Sequence, residues 1–192
     1  LACRIQWSCC YTLDINTQMN YWPAGPGALS DCSIPLFTWV RDVLMPSGAY
    51  TAKKLYAMRG WTAQIFSNAW GFSAPGPWWI WPMGGVWLCT HLWDHYLFTC
   101  DRDFLHDVVW PVMSGAARFC LDYLTEAPDT GCLVPGPAYS PENGFAVDGA
   151  RCESDMGTTC DVLLIRELID NCAQAADILD VDGELARQCR DA

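Results

Sequence analysis

Three groups of residues have types and spacings that could do chemistry. His91 and His95 stand four apart in the apolar stretch WWIWPMGGVWLCTHLWDHYLF (78–98), which places both imidazoles on one helix face, the spacing that holds zinc in zincins. A zincin also carries Glu beside the first His, and here that place is Leu92, so two satisfied core histidines are the plainer account. Glu142 stands in Tyr139-Ser140-Pro141-Glu142-Asn143, inside a long Gly- and Pro-rich stretch. A carboxyl held by a proline near aromatic surface has a raised pKa and can act as a general acid. The same residue reads equally well as a turn residue. Asp14 and Asn16 stand two apart on one side of an extended segment, Leu13 to Pro23.

Other chemistries lack their motifs. There is no GxGxxG or GK[ST] phosphate loop, no G-x-S-x-G elbow, and no CxxC pair among the 12 cysteines. The balance of 11 basic and 22 acidic residues gives a net charge of −11, a field that repels nucleic-acid backbones and anionic membrane surfaces. The longest apolar run, Trp78 to Cys89, is interrupted by Pro82 and Gly84-Gly85 and is too short to span a bilayer. Eleven tryptophans exceed what a core of this size requires. Flat rings with N–H edges suit a pocket that stacks on sugar faces, although a Trp-rich core is the simpler alternative.

The elements that must position these residues are helices. Ser33 is expected to cap a helix with Pro35 in its first turn, Pro46-Ser47-Gly48 to end it, and a second helix to run from about Ala49 to Arg59. A central helix follows Gly84-Gly85, apolar on nearly every face and therefore buried. The two glycines are read as a tight turn and a close approach to another segment. Phe104 to Glu126 reads as a helix kinked or divided at Pro111, and Thr158 or Thr159 caps another that Asp182-Gly183 ends. Two long stretches, 61–82 and 128–156, show no sustained period, and the first is read as a ligand-lining loop. Helices joined alternately by short turns and long loops predict an all-α fold: half of a twelve-helix toroid, or a solenoid of helix pairs. The opening LACRIQWSCC has no initiator Met and no signal-peptide pattern, and GELARQCRDA reads as an interrupted helix. The chain is thus expected to be a piece of a larger domain, 1–192.

The segments NTQMNYWPAGPGALSDCSIPLF (16–37), TAKKLYAMRGW (51–61), WPMGGVWLCTHLWDHYLFT (81–99), GAARFCLDYL (115–124), SPEN (140–143) and MGTTCDVLLIRELIDN (156–171) resemble, in order, glycoside hydrolase family 95. These are α-L-fucosidases and related α-L-galactosidases. The resemblance implies an (α/α)6 toroid, of which this chain would be the first half, inversion at the anomeric carbon, no cofactor and no metal. It also implies an oligosaccharide or glycoconjugate substrate and favours a secreted location.

Carried over by position, the family's general acid falls on Glu142 and its Asn-x-Asn pair on Asp14 and Asn16. In the family the second Asn holds the attacking water with help from a distant Asp, expected here beyond residue 192. Asp14 departs from the pattern, as does Gln64-Ile65-Phe66-Ser67-Asn68, which replaces His-His-Asn-Thr-Asp facing the sugar. Trp22, Gln64, Ser67, Asn68, Trp81 and His91 are the expected substrate contacts. An inverting hydrolase holds its two groups roughly 6.5–9.5 Å apart to admit a water. A non-catalytic sugar-binding protein on the same scaffold and a helical-repeat interaction protein are the alternatives.

Overall fold

The computed structural model describes residues 9–76 and 80–192; Trp78 and Trp79, at the head of the apolar stretch, lie outside the described residues. The chain is mainly helical. Its α-helices are α1 (Asn16–Tyr21), α2 (Ile34–Trp39), α3 (Met45–Thr51), α4 (Gly84–Thr99), α5 (Arg102–Phe104), α6 (Trp110–Tyr123), α7 (Thr159–Leu179) and α8 (Gly183–Asp191). Short strands β1 to β8 lie in the connections.

The predicted stop at Pro46 does not occur. Helix continues from Ile34 to Tyr56 through π-helical turns at Val40–Leu44 and Ala52–Tyr56. The first of these turns lies just before Pro46. It widens the hydrogen-bond spacing where the proline would otherwise remove a bond and press on the preceding turn. The same device precedes Pro111, where a π turn at Leu105–Val109 leads into α6. Ser33 does not cap with its side chain; it closes a 3-10 turn, Ser30–Ser33, that feeds α2. The helix ends at Ala57, which takes the left-handed conformation (φ 55°), rather than at Gly60.

Gly84 and Gly85 are not a turn, because α4 begins at Gly84. Their role is close approach. A Cβ on Gly84 would stand 2.6 Å from the Gln64 carbonyl oxygen, and one on Gly85 would stand 2.7 Å from the Trp61 ring. Trp61 is 1% exposed and donates through Nε1 to the Val112 carbonyl at 2.8 Å. Gly48 of α3 and Gly115 of α6 also abut its ring, so three helices leave out a side chain to seat one indole. Around it, Leu44, Val86, Leu88, Leu92, Leu105, Val112, Met113, Phe119, Leu168 and Cys172 form one apolar core, with α7 packed on α4, α6 and α8.

The connection 128–156 is more ordered than its lack of periodicity predicts. β3 (Leu124–Glu126) pairs with β4 (Leu133–Pro135), β5 (Ala138–Tyr139) with β8 (Ser154–Asp155), and β6 (Phe145–Val147) with β7 (Ala150–Cys152), all antiparallel. Strands of two or three residues are too short to display alternation. Among the described residues no helix is long and apolar enough to cross a membrane.

Candidate active site

The two long connections meet at a cleft of about 1020 Å³. Its first wall starts with β1 (Tyr11–Thr12), paired antiparallel with β2 (Phe66–Ser67) in the register Tyr11 to Ser67 and Thr12 to Phe66. The Leu13 N–H extends that pairing by donating to the Ile65 carbonyl at 2.6 Å. Asp14, Ile15 and Asn16 leave this ladder on one side, and Ser67 and Asn68 on the other, so all five line the cleft. Ile15 has φ 147°, a region that costs a β-branched residue on the order of 1–3 kcal/mol. Strain is thus held between the two residues singled out in the DIN segment.

Asn68 folds the next piece of wall. Its Oδ1 accepts from the Trp70 and Phe72 backbone N–H groups at 3.0 and 3.3 Å, and Gly71 supplies a positive φ of 74°. The turn presents Trp70, 85% exposed, and Phe72 at the cleft. Ser73 ties the loop to the helix behind, its Oγ meeting Ser47 Oγ at 2.9 Å and Thr51 Oγ1 at 2.7 Å.

The opposite wall carries Pro141 and Glu142, with Trp87 of α4 and Cys160 of α7 lining the remainder. The strand before Glu142 is anchored at two points. The Tyr123 hydroxyl donates to the Pro137 carbonyl, and the Tyr139 N–H donates to Asp161 Oδ2 at 3.4 Å.

Burial raises Asp14 above the ordinary carboxylate value, its own backbone N–H opposes the rise, and the negative charge of Glu142 adds to it. Asp14 Oδ1 and Ser67 Oγ are buried and have no hydrogen-bond partner among the described residues. Both residues line the cleft, and buried polar atoms of this kind call for a partner.

Of the residues expected from sequence, Asp14, Asn16, Glu142, Ser67 and Asn68 come together here. Gln64 and Trp81 do not line the cleft. They are 1% and 0% exposed, and their polar atoms serve the protein: Gln64 Nε2 donates to the Tyr56 hydroxyl at 2.9 Å, the Trp81 N–H to Gln64 Oε1 at 2.8 Å, and Trp81 Nε1 to Asp161 Oδ1 at 2.7 Å. Trp22 and His91 line a separate cavity of about 260 Å³ with Asp94 and His95. There the ring nitrogens of His91 meet Thr90 Oγ1 at 3.2 Å and the Gln18 carbonyl at 3.1 Å, which pins α1 to α4. His95 packs its ring between Phe37 and Phe104.

Sequence reasoning did not single out Phe66, Trp70, Phe72, Trp87 or Asp161. The excess of tryptophan was the available signal for Trp70 and Trp87. Nothing marked Asp161, which reads as an ordinary acid in the first turn of α7. It is 0% exposed, and burial pushes its pKa up to about 6 against the hydrogen bonds from Trp81 and Tyr139.

Comparison with known proteins identifies the family. A model of the glycosyl hydrolase family 95 catalytic domain matches residues 2–192. The chain is 37% identical over 178 residues to a protein named alpha-L-fucosidase 2 from Arabidopsis thaliana, covering 90% of this chain and 21% of that protein. It is 33% identical over 174 residues to a probable alpha-fucosidase A from Aspergillus niger, covering 88% of this chain and 21% of that protein. The chain therefore spans about a fifth of the length of these curated relatives. On the match across nearly its whole length, the chain belongs to glycosyl hydrolase family 95.

Proposed function

We propose that this chain supplies the acid side of an inverting α-L-fucosidase whose intact catalytic domain is an (α/α)6 toroid, with the chain forming about half of the ring. The observation that carries the reading is the gathering of Glu142, Asn16 and Asp14 in one aromatic-walled cleft, with two buried oxygens that have no partner among the described residues. A helical-repeat interaction protein has no use for such an arrangement. The names of the plant and fungal relatives support fucose as the sugar.

In this reading Glu142 gives its proton to the glycosidic oxygen as the bond to the anomeric carbon breaks. Asn16 holds a water on the opposite face, and that water's oxygen forms the new bond. An amide is a poor base, so the water's proton passes to a carboxylate further along the intact protein. Asp14 accepts from a sugar hydroxyl through Oδ1. Trp70, Phe72 and Trp87 offer flat surfaces to the apolar face of the ring.

Glu142→Gln in the intact protein tests the assignment. Gln keeps the shape and cannot donate the proton. Hydrolysis of a fucosyl oligosaccharide should fall steeply, and hydrolysis of an aryl fucoside with a good leaving group should fall far less. Equal losses on the two substrates would remove Glu142 from the acid's role, and sugar binding without hydrolysis by the unaltered protein would reduce the cleft to a binding site.

A further inference from the structure

Fully buried carboxylates are rare without a cationic partner. Asp161 is fully buried, and among the described residues no cation forms an ion pair with it. Its two oxygens instead join segments far apart in the chain. Oδ1 accepts from Trp81 Nε1 at 2.7 Å, and Oδ2 accepts from the Tyr139 N–H at 3.4 Å. An apolar residue would fill the space but could not bind both.

What lies beyond each partner is the cleft. The ring of Trp81 meets that of Trp87 edge-on, with centroids 6.3 Å apart, and Trp87 lines the cleft floor. Tyr139 stands three residues before Glu142, separated from it only by Ser140 and Pro141. The same chain of bonds runs back through Gln64 to the Tyr56 hydroxyl, so it also reaches the segment that leads to Ser67. Hydrogen bonds and one ring contact thus link Trp87, the strand before Glu142 and the segment that leads to Ser67.

We propose that Asp161 is a positioning residue for the candidate acid, tying β5, the strand that leads into the Glu142 turn, to Trp81, whose ring backs Trp87. Asp161 touches no substrate in this arrangement; it acts through Tyr139 and Trp81. The proposal rests on the reading of Glu142 as the acid. A donor displaced by about 1 Å costs on the order of 100-fold in rate, while ground-state contacts elsewhere in the cleft persist.

Asp161→Asn in the intact protein is the test. Asn has one acceptor oxygen, so it can serve Trp81 or Tyr139, and its NH₂ opposes the other donor. The expected result is a kcat reduced about 10- to 100-fold on a fucosyl oligosaccharide, with a several-fold smaller loss on a nitrophenyl fucoside and little change in KM. Combining it with Glu142→Gln should add little on either substrate, because the displaced group is already disabled. Trp81→Phe keeps an aromatic ring, smaller than the indole, and removes the Nε1–H; it should show the same leaving-group bias more weakly and serves as the readout if the Asn variant does not fold. Leaving-group dependence in Glu142→Gln together with uniform losses in both the Asp161→Asn and Trp81→Phe proteins would overturn the positioning role alone. Absence of that dependence in Glu142→Gln itself would overturn both readings.

Discussion

The large cleft and the smaller cavity beside α4 are made from similar materials: aromatic rings, a carboxylate or two, and small hydroxyl residues. They differ in what their polar atoms are doing. In the smaller cavity His91 already meets Thr90 and Gln18, and His95 is wedged between phenylalanines. In the cleft, Asp14 Oδ1 and Ser67 Oγ are buried without a partner among the described residues. A hydrogen bond already made within the protein must be broken before the same atom can serve a ligand. The richness of a cavity in histidine or tryptophan is therefore a poor guide to binding, and unspent hydrogen-bonding capacity is a better one.

This contrast can be broken most forcibly at Glu142. The Gln variant should lose about 10²- to 10⁴-fold in kcat on poor leaving groups, measured by steady-state kinetics on paired substrates. A comparable loss from any change in the smaller cavity would erase the distinction.

Asp161 gives the next largest effect, in stability. A buried carboxyl raised from 3.8 to about 6 favours the neutral form in the fold, so its destabilising charge is absent below about pH 4 and fully present above about pH 6. At ~1.4 kcal/mol per pH unit, the cost is on the order of 3 kcal/mol. The melting temperature of the unaltered protein should therefore fall through this window as pH rises, with that contribution missing from Asp161→Asn. Parallel melting curves for the two proteins would show that the charge is not buried.

Ser67→Ala should raise KM about 5- to 10-fold, from the loss of roughly 1 kcal/mol of hydrogen bonding to the sugar. It should leave the melting temperature unchanged, since Ser67 Oγ bonds nothing among the described residues. Asp14→Asn sharpens the same point. If Asp14 supports the sugar, the amide retains most of kcat and the acidic limb of the pH profile stays in place; a collapse of both would make Asp14 the base. The smallest effect on catalysis is expected in the other cavity. His91→Gln should lower the melting temperature through the lost tie between α1 and α4, with KM within about twofold.

Legibility followed the length scale of the interaction. Helices α4, α6 and α7 were readable because their apolar positions recur over several turns. Glu142 and the Asp14–Asn16 pair could be singled out by residue type, but only the resemblance joined them, since nothing in their spacing brings residues over a hundred positions apart to one cleft. Pro46 misled because a proline's local effect is to stop a helix, while the π turn that absorbs it depends on how Val40 and Leu44 pack. Gln64 and Trp81 misled in the opposite direction. Their residue types suit a sugar site, yet Asp161, 80 positions beyond Trp81, claims the indole N–H. Such a pairing has no signature within a window of any useful length.

The seat of Trp61 has a consequence for how this fold can change. Gly85 and Gly115 are each limited first by the same ring, Gly48 first by the Thr62 carbonyl oxygen, 2.4 Å from where its Cβ would stand, and Gly60, at φ 68°, would place a Cβ 1.9 Å from the Gly115 carbonyl oxygen. Sequence drift at these positions is therefore epistatic: a methyl group at 85 or 115 is barred while the indole stands and becomes admissible only after a smaller ring replaces it. Gly48 and Gly60 gain no such freedom, because their nearest obstacles are backbone. The order in which substitutions arrive thus matters, and the tryptophan must change first.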